Sequence, residues 1–492
     1  MRRITETSRK MRAQILGEGL IGLAVALAAV MYILHTINNE VNVPINDDWR
    51  TVELYVLLRT HHLSVSQLWH QWNENRMALP FAITLGVDYI SNLDMRWLID
   101  LGLAIQLFSA GIIWWIARRI KLPIALRLLL PFLALPLAAF EDYLWGFQLA
   151  WIAIYFFLVL GIAVTLRSKS PKTTLACIVI CLAASITSLQ GLLVWFPVAI
   201  MAVGQRWKKR DMLALAVAWA CVTSLYFVDF SFSDGSSPGG LSFAFHHPQL
   251  VAEYVVRLFA TLFDPTRTMV NGNITTAFQR ISPYIAILVV IVAGVGAVYG
   301  LWVLVSSRRQ RVRSSEEGIT ALAVGVALVV YALLFAGITA IGRVGYGSAQ
   351  AEASRYTLYT PVLLMGIVVG MYGVKMSIGT RKSAGGTSSA NGRKFELIPK
   401  KRSYLSAPLG VVSMICVVTV FVGIADSAWD SVIRNEREAA LEVVKHFPTK
   451  PSAYKAYGRS ISHVTLAPDI PTVEWLVPIL RTLHTSQFPR HR

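Results

Sequence analysis

"ILGEGLIGLAVALAAVMYILHTINNEVNVPINDDWR", Ile15 to Arg50, decides the fold. From Ile15 to Ile37 it carries one charge, Glu18. A helix crossing a bilayer takes roughly 20 apolar residues. The run is long enough, and it lacks a clear small-residue cleavage site, so it reads as an anchor rather than a signal peptide. The preceding "MRRITETSRKMR" holds five basic residues and one acid, which marks the cytoplasmic side. The helix then emerges on the far side at "NDDWR", where Asp47 and Asp48 form a paired carboxylate close to the membrane.

The same signature recurs. Of 492 residues, 55% are apolar and 15% charged. This composition predicts an all-α, polytopic membrane protein with about eleven transmembrane helices (10–13), and the alternating strands of a barrel are missing. The net charge of +18 does not point to nucleic acid. Lys and Arg gather in short loops, "RRIK" (118–121), "RSKSPK" (167–172), "QRWKKR" (205–210) and "RRQRVR" (308–313), as topology signals do. Cys177, Cys181, Cys221 and Cys416 lie in apolar runs and read as packing residues.

Residues 1–374 read as one transmembrane module. Its first outer loop, 38–76, contains interfacial helices. Met77 to Leu93 is short and holds Asp88, so it reads as re-entrant; Trp97 to Ala117 is the next full crossing. Two short helices, Thr173–Thr187 and Gly191–Gly204, meet at "SLQG". A long outer loop, "FSFSDGSSPGGLSFAFHHPQ", ends in the amphipathic "LVAEYVVRLFATLF". Residues 375–403 read as a flexible basic cytoplasmic linker, 404–425 as the last crossing and 426–492 as a small extracytoplasmic tail.

Three polar clusters then share the outer face. The first is Asp47, Asp48 and Arg50 with Glu74 and Arg76 of "NENR". The second is Glu141 and Asp142 of "EDYLWGFQ", and the third Arg343 and Arg355 of "GRVGYGSAQAEASRY". Each has a plain reading: Asp47–Asp48 and Glu141–Asp142 as helix starts, Glu74–Arg76 as a local ion pair, the arginines as snorkelling anchors. Capping needs one aspartate, however, and arginine is disfavoured in outer loops. Together the clusters suit an enzyme acting on a lipid-linked phosphate, with arginine gripping phosphate and a carboxylate taking a proton. His246–His247 reads as a solvated pair.

"NDDW", "NENRMALP", "EDYLWGFQ", "SLQGLLVW" and "GSAQAEASRYTLYTP", in that order, resemble the glycosyltransferase C superfamily, and more narrowly a group of bacterial membrane proteins described as glycosyltransferases. The resemblance covers most of residues 1–375. It implies a membrane enzyme moving a sugar from a polyprenyl-phosphate donor to a cell-envelope glycan or lipid acceptor. It implies that Asp47 or Asp48 is the base, that Glu141 and Asp142 assist, and that Arg355 contacts the carrier phosphate. Arg50, Glu74, Arg76, Gln148, Arg343 and Tyr356 complete the expected substrate-binding set. No DxD stands at the second site, so no cofactor is implied with certainty and a divalent metal stays open. The expected location is a bacterial inner or plasma membrane, with lipid as surroundings and no nucleic-acid partner. The alternatives are a flippase for lipid-linked saccharide, or a membrane scaffold or sensor.

Overall fold

The computed structural model describes residues 2–231, 240–263, 277–310, 315–384, 430–446 and 470–489, with a few positions between 410 and 420. It is helical apart from one two-stranded hairpin. In chain order come α1 (Arg2–Asn39), α2 (Asp48–Arg59), α3 (Val65–Trp69), the hairpin β1 (Gln71–Trp72) and β2 (Asn75–Arg76), and α4 (Ala78–Ser91). Next are α5 (Met95–Arg119), α6 (Ile124–Ala134), α7 (Phe140–Leu144), α8 (Leu149–Thr165), α9 (Pro171–Ser185), α10 (Trp195–Gly204) and α11 (Lys209–Tyr226). Then follow α12 (Leu241–His246), α13 (Pro248–Ala260), α14 (Ala277–Gln310), α15 (Glu316–Arg343), α16 (Thr360–Ala384), α17 (Asp430–His446) and α18 (Ile470–Thr482).

Among the described residues, six helical segments are long and apolar enough to cross a membrane: Leu16–Asn39, Met95–Arg119, Gly146–Thr165, Ile281–Arg308, Glu316–Tyr346 and Ser354–Ser377. Four shorter apolar helices accompany them: Ala78–Ser91, Ile124–Ala134, Pro171–Ser185 and Leu189–Gly204. On α1, Leu16, Leu20, Leu23, Leu27, Val30 and Leu34 are exposed, while Ile21, Ala28 and Tyr32 are buried. Spacings of three and four give one helix face to the bundle and leave an apolar stripe outside. Water would penalise that stripe; lipid does not. The chain is thus a helical, membrane-embedded protein.

The bundle has two distinct ends. At one, Arg127 pairs with Glu18 at 2.9 Å, Lys121 with Glu317, and Arg308 donates to the Trp207 carbonyl at 2.8 Å. At the other, Arg434 donates to the Asn38 carbonyl at 2.8 Å, the Leu189 amide to Asn75 Oδ1 at 3.1 Å, and the Glu141 amide to Ser354 Oγ at 3.2 Å. This second end is the site end. Helix α4 has both its termini there: the Leu79 amide bonds the Ile186 carbonyl, and Asn92, just beyond the helix, donates to His484 in the tail. Helix α16 continues to Ala384, past the boundary expected at 374. Its first turns bury 83% of their apolar window, and basic residues suit a helix C-terminus. The rest of the linker and most of 404–425 lie outside the described residues.

Helices α15 and α16 form a hairpin whose backbones touch. A Cβ on Gly325 would lie 2.2 Å from the Gly370 nitrogen, and one on Gly366 2.8 Å from the Val329 nitrogen. Small residues at such crossings let membrane helices approach closely. The turn between them passes through Gly347 at φ +97°, the left-handed region that glycine tolerates. Arg257 of α13 holds that turn through Glu352 at 2.9 Å, and Ser348 donates to Glu253 at 2.8 Å. Arg343 and Arg355, at the two ends of the turn, inherit this rigidity. Gly325→Ala should therefore destabilise the protein by ~1–3 kcal/mol, the cost of overpacking a filled core. Thermal unfolding in detergent measures it, and a melting curve matching wild type would show that the helices are not in contact.

Candidate active site

A cavity of about 360 Å³ opens at the site end. Its wall comes from the α1–α2 loop (Asn46, Asp47), the hairpin (Trp72, Asn73, Glu74, Asn75), the start of α8 and the turn before it (Trp145, Phe147, Gln148, Trp151), the "SLQG" turn (Leu189, Gln190), the end of α15 (Thr339, Arg343) and the turn that follows it (Arg355, Tyr356). Of the expected residues, Asp47, Glu74, Gln148, Arg343, Arg355 and Tyr356 share this wall. They come from segments nearly three hundred residues apart, so the helix packing alone unites them.

Local geometry explains the approach of each segment. Asn46 (φ 46°) and Asn73 (φ 49°) both adopt the left-handed conformation, which asparagine tolerates better than most residues. Such turns at a cavity rim are where backbone strain tends to concentrate. At the "SLQG" turn, a Cβ on Gly191 would fall 1.7 Å from the Ala184 carbonyl oxygen. Glycine alone lets this turn fold onto the end of α9, which brings Gln190 to the wall.

The other expected residues lie behind the wall and hold it. Asp48 is 2% exposed; its Oδ2 accepts from the Ile45 amide and from Trp145 Nε1, both at 3.0 Å. Arg76 is 4% exposed and donates to the carbonyls of Tyr226, Trp69 and Val228, pinning the hairpin to the end of α11. Arg50 pairs with Glu53 and stacks on Trp72, 5.5 Å from the ring centroid. Glu141 accepts from the Arg355 amide at 2.9 Å and faces its guanidinium at 3.5 Å. Asp142 is buried beneath it, and neither of its oxygens accepts a hydrogen bond.

Sequence reasoning set Asp47 and Asp48 together as one pair. Here they divide: Asp47 faces the cavity, and Asp48 fastens the loop behind it. Glu141 and Asp142 divide differently: neither lines the cavity, Glu141 holds Arg355, and Asp142 lies buried beneath it. Reasoning from motifs also passed over the aromatic wall of Trp72, Trp145, Phe147 and Trp151, and over Asn46, Asn73, Asn75, Gln190 and Thr339. The signal for most of these was present, because they sit inside the quoted motifs or one residue beyond them.

Electrostatics follow from the placement. Burial pushes the Asp47 carboxyl above its ordinary value, while the charges of Arg355 and Arg343 pull it back. Burial likewise pushes Asp142 well up, helped by neighbouring Glu141 and opposed by Arg355. Arg343 is held by Glu74 at 2.8 Å. Arg355 has the looser carboxylate partner, Glu141 at 3.5 Å, and lies over the Tyr356 ring. Of the two wall carboxylates, Glu74 is thus committed to an arginine. Among the described residues no group of three or more His, Cys, Asp and Glu gathers to hold a metal ion.

Fold and site together define a membrane-embedded helical bundle with a polar, aromatic-walled cavity at one end. Compared with protein-family models, with curated proteins and with solved structures, the chain finds no match in any of the three.

Burial pushes Asp48 up from 3.8 to about 7, against the pull of the Ile45 amide and Arg437. A folded-state value above the unfolded one makes Asp48 favour folding below about 4, and that contribution is lost as pH rises through about 7. Asp48→Asn removes this titration. The melting temperature of Asp48→Asn minus that of wild type should therefore be more positive at pH 8 than at pH 5. A difference independent of pH would mean that Asp48 does not titrate in this range.

Proposed function

We propose that the cavity binds a polyprenyl-phosphate-linked sugar and transfers the sugar to a hydroxyl of a glycan or lipid acceptor outside the cytoplasm. One observation carries the reading: Asp47, Arg343 and Arg355 line a single cavity at the membrane boundary, among tryptophans and amides suited to a sugar. The basic loops lie at the opposite end, which under the positive-inside rule is cytoplasmic. In this orientation α6, α9, α10 and α11 also cross, and with the six long spans they make ten crossings among the described residues; the further crossing expected at 404–425 lies mostly outside them. The membrane would be a bacterial inner or plasma membrane.

The chemistry is a single displacement. Asp47 accepts the proton of the acceptor hydroxyl. That oxygen forms its bond to the anomeric carbon as the bond from this carbon to the phosphate oxygen breaks. The phosphate leaves with the electron pair, already charged, so no general acid is needed. Arg355, with the looser carboxylate partner, and Arg343 hold that charge. Burial raises the Asp47 carboxyl and makes it a better base than an exposed aspartate, while the two arginines favour its ionised form.

A carrier for lipid-linked saccharide finds its support in Asp88 and Asp142, both buried with no hydrogen bond to either oxygen. Unpaired carboxylates within a membrane bundle suit proton coupling. Neither lines the cavity, which favours transfer.

Two measurements test the proposal. Asp47→Asn should lower transfer from a lipid-linked donor by roughly 100-fold or more, the scale of lost general-base catalysis, with the melting temperature unchanged. Full activity in that variant removes Asp47 as the base. Arg355→Lys should bind polyprenyl phosphate more weakly than wild type, since a point charge replaces a two-pronged donor, and Arg355→Ala more weakly still, by about 1.5–3 kcal/mol. Equal affinity across all three would return Arg355 to the role of a helix-end anchor.

A further inference from the structure

The tail is built into the site. In α17, Arg437 is 4% exposed and donates from Nη1 to the Leu144 carbonyl, one residue before Trp145. Its charge faces Asp48. The other titratable groups that face Asp48 are carboxyls: Asp47 from the same turn and Asp88 from α4. From α18, Leu476, Val477 and Leu480 pack with Val41, Val43, Ile45 and Trp145. Beyond α18, Gln487 Nε2 donates to Asn42 Oδ1 at 2.9 Å, and Asn42 Nδ2 donates to Ser486 Oγ at 3.0 Å. The loop that carries Asp47 is therefore held from inside by Asp48 and from outside by the tail.

We propose that Arg437 is a positioning residue of the cavity: buried against the Leu144 carbonyl, with its charge acting on Asp48, it keeps the 43–47 loop and Trp145 fastened together, so that Asp47 stands in the wall. A buried carboxylate deprived of its cation takes up a proton, and the neutral group accepts N–H bonds less strongly. Both bonds at issue end on one atom, Asp48 Oδ2. Loss of Arg437 thus loosens two segments of the cavity wall at once. The catalytic consequence rests on the reading of Asp47 as base; the mechanical one does not.

The test is a double-mutant cycle in the full chain, in nanodiscs, read by deuterium exchange of the segment 43–48. Arg437→Gln should speed that exchange about 10-fold or more at neutral pH, and Arg437→Lys, which keeps the charge, should restore most of the protection. Asp48→Asn/Arg437→Gln removes both buried charges, and its amides can pair. It should exchange more slowly than the two single variants predict by addition. In transfer assays Arg437→Gln should lower kcat/KM for the donor, and Arg437→Lys should restore most of it. Wild-type exchange in Arg437→Gln, or strict additivity, overturns the proposal. If Arg437→Gln does not fold, the double variant must, and its failure to fold overturns the proposal as well. Coupling in exchange with no transfer by wild type would support the positioning role and sink the transferase reading.

Discussion

The site depends on one buried carboxylate. Asp48 Oδ2 gathers the Ile45 amide and the Trp145 indole, and so ties the α1–α2 loop to the turn before α8. These segments are almost a hundred residues apart, and each contributes to the cavity wall. Both bonds are 3.0 Å and out of water, and leaving their buried partners unsatisfied is expensive. It also explains a paired aspartate at a membrane boundary: the pair is two residues with two tasks.

The second constraint is the glycine-lined contact of α15 with α16. Backbones in contact leave little freedom to slide, so the turn between them is a rigid arm. It delivers Arg343 and Arg355 to the wall, and α13 braces it through Glu253, Arg257 and Glu352. The arginines meet carboxylates from the first loop and from α7, Glu74 and Glu141. Three stretches that appear independent along the chain are in this way one electrostatic unit. Trp72, Trp145, Phe147 and Trp151 line the same cavity.

Much of this was legible in the sequence because lipid imposes long apolar runs, and each long helix declares itself by hydropathy alone. The clusters were legible because charge is scarce in such a chain and the few arginines away from its basic loops stand out. What the sequence could not give is helical phase. Asp47 and Asp48 are neighbours whose side chains diverge by roughly 100° at a helix start, so one meets the cavity and the other the core. Arg76 reads like Arg343 in sequence, yet it is consumed by the backbone carbonyls of α11 and α3. The part played by Arg437 was hidden for another reason: it lies almost four hundred residues from Asp48, in a polar tail with no motif of its own.

The most direct test of the central claim is an experimental structure with a non-cleavable polyprenyl-phosphate sugar bound. The account predicts the phosphate against Arg355 and Arg343, the sugar among Trp72, Trp145 and Trp151, and the anomeric carbon open to Asp47. A phosphate seated at the opposite end of the bundle, or a sugar outside this cavity, would contradict it.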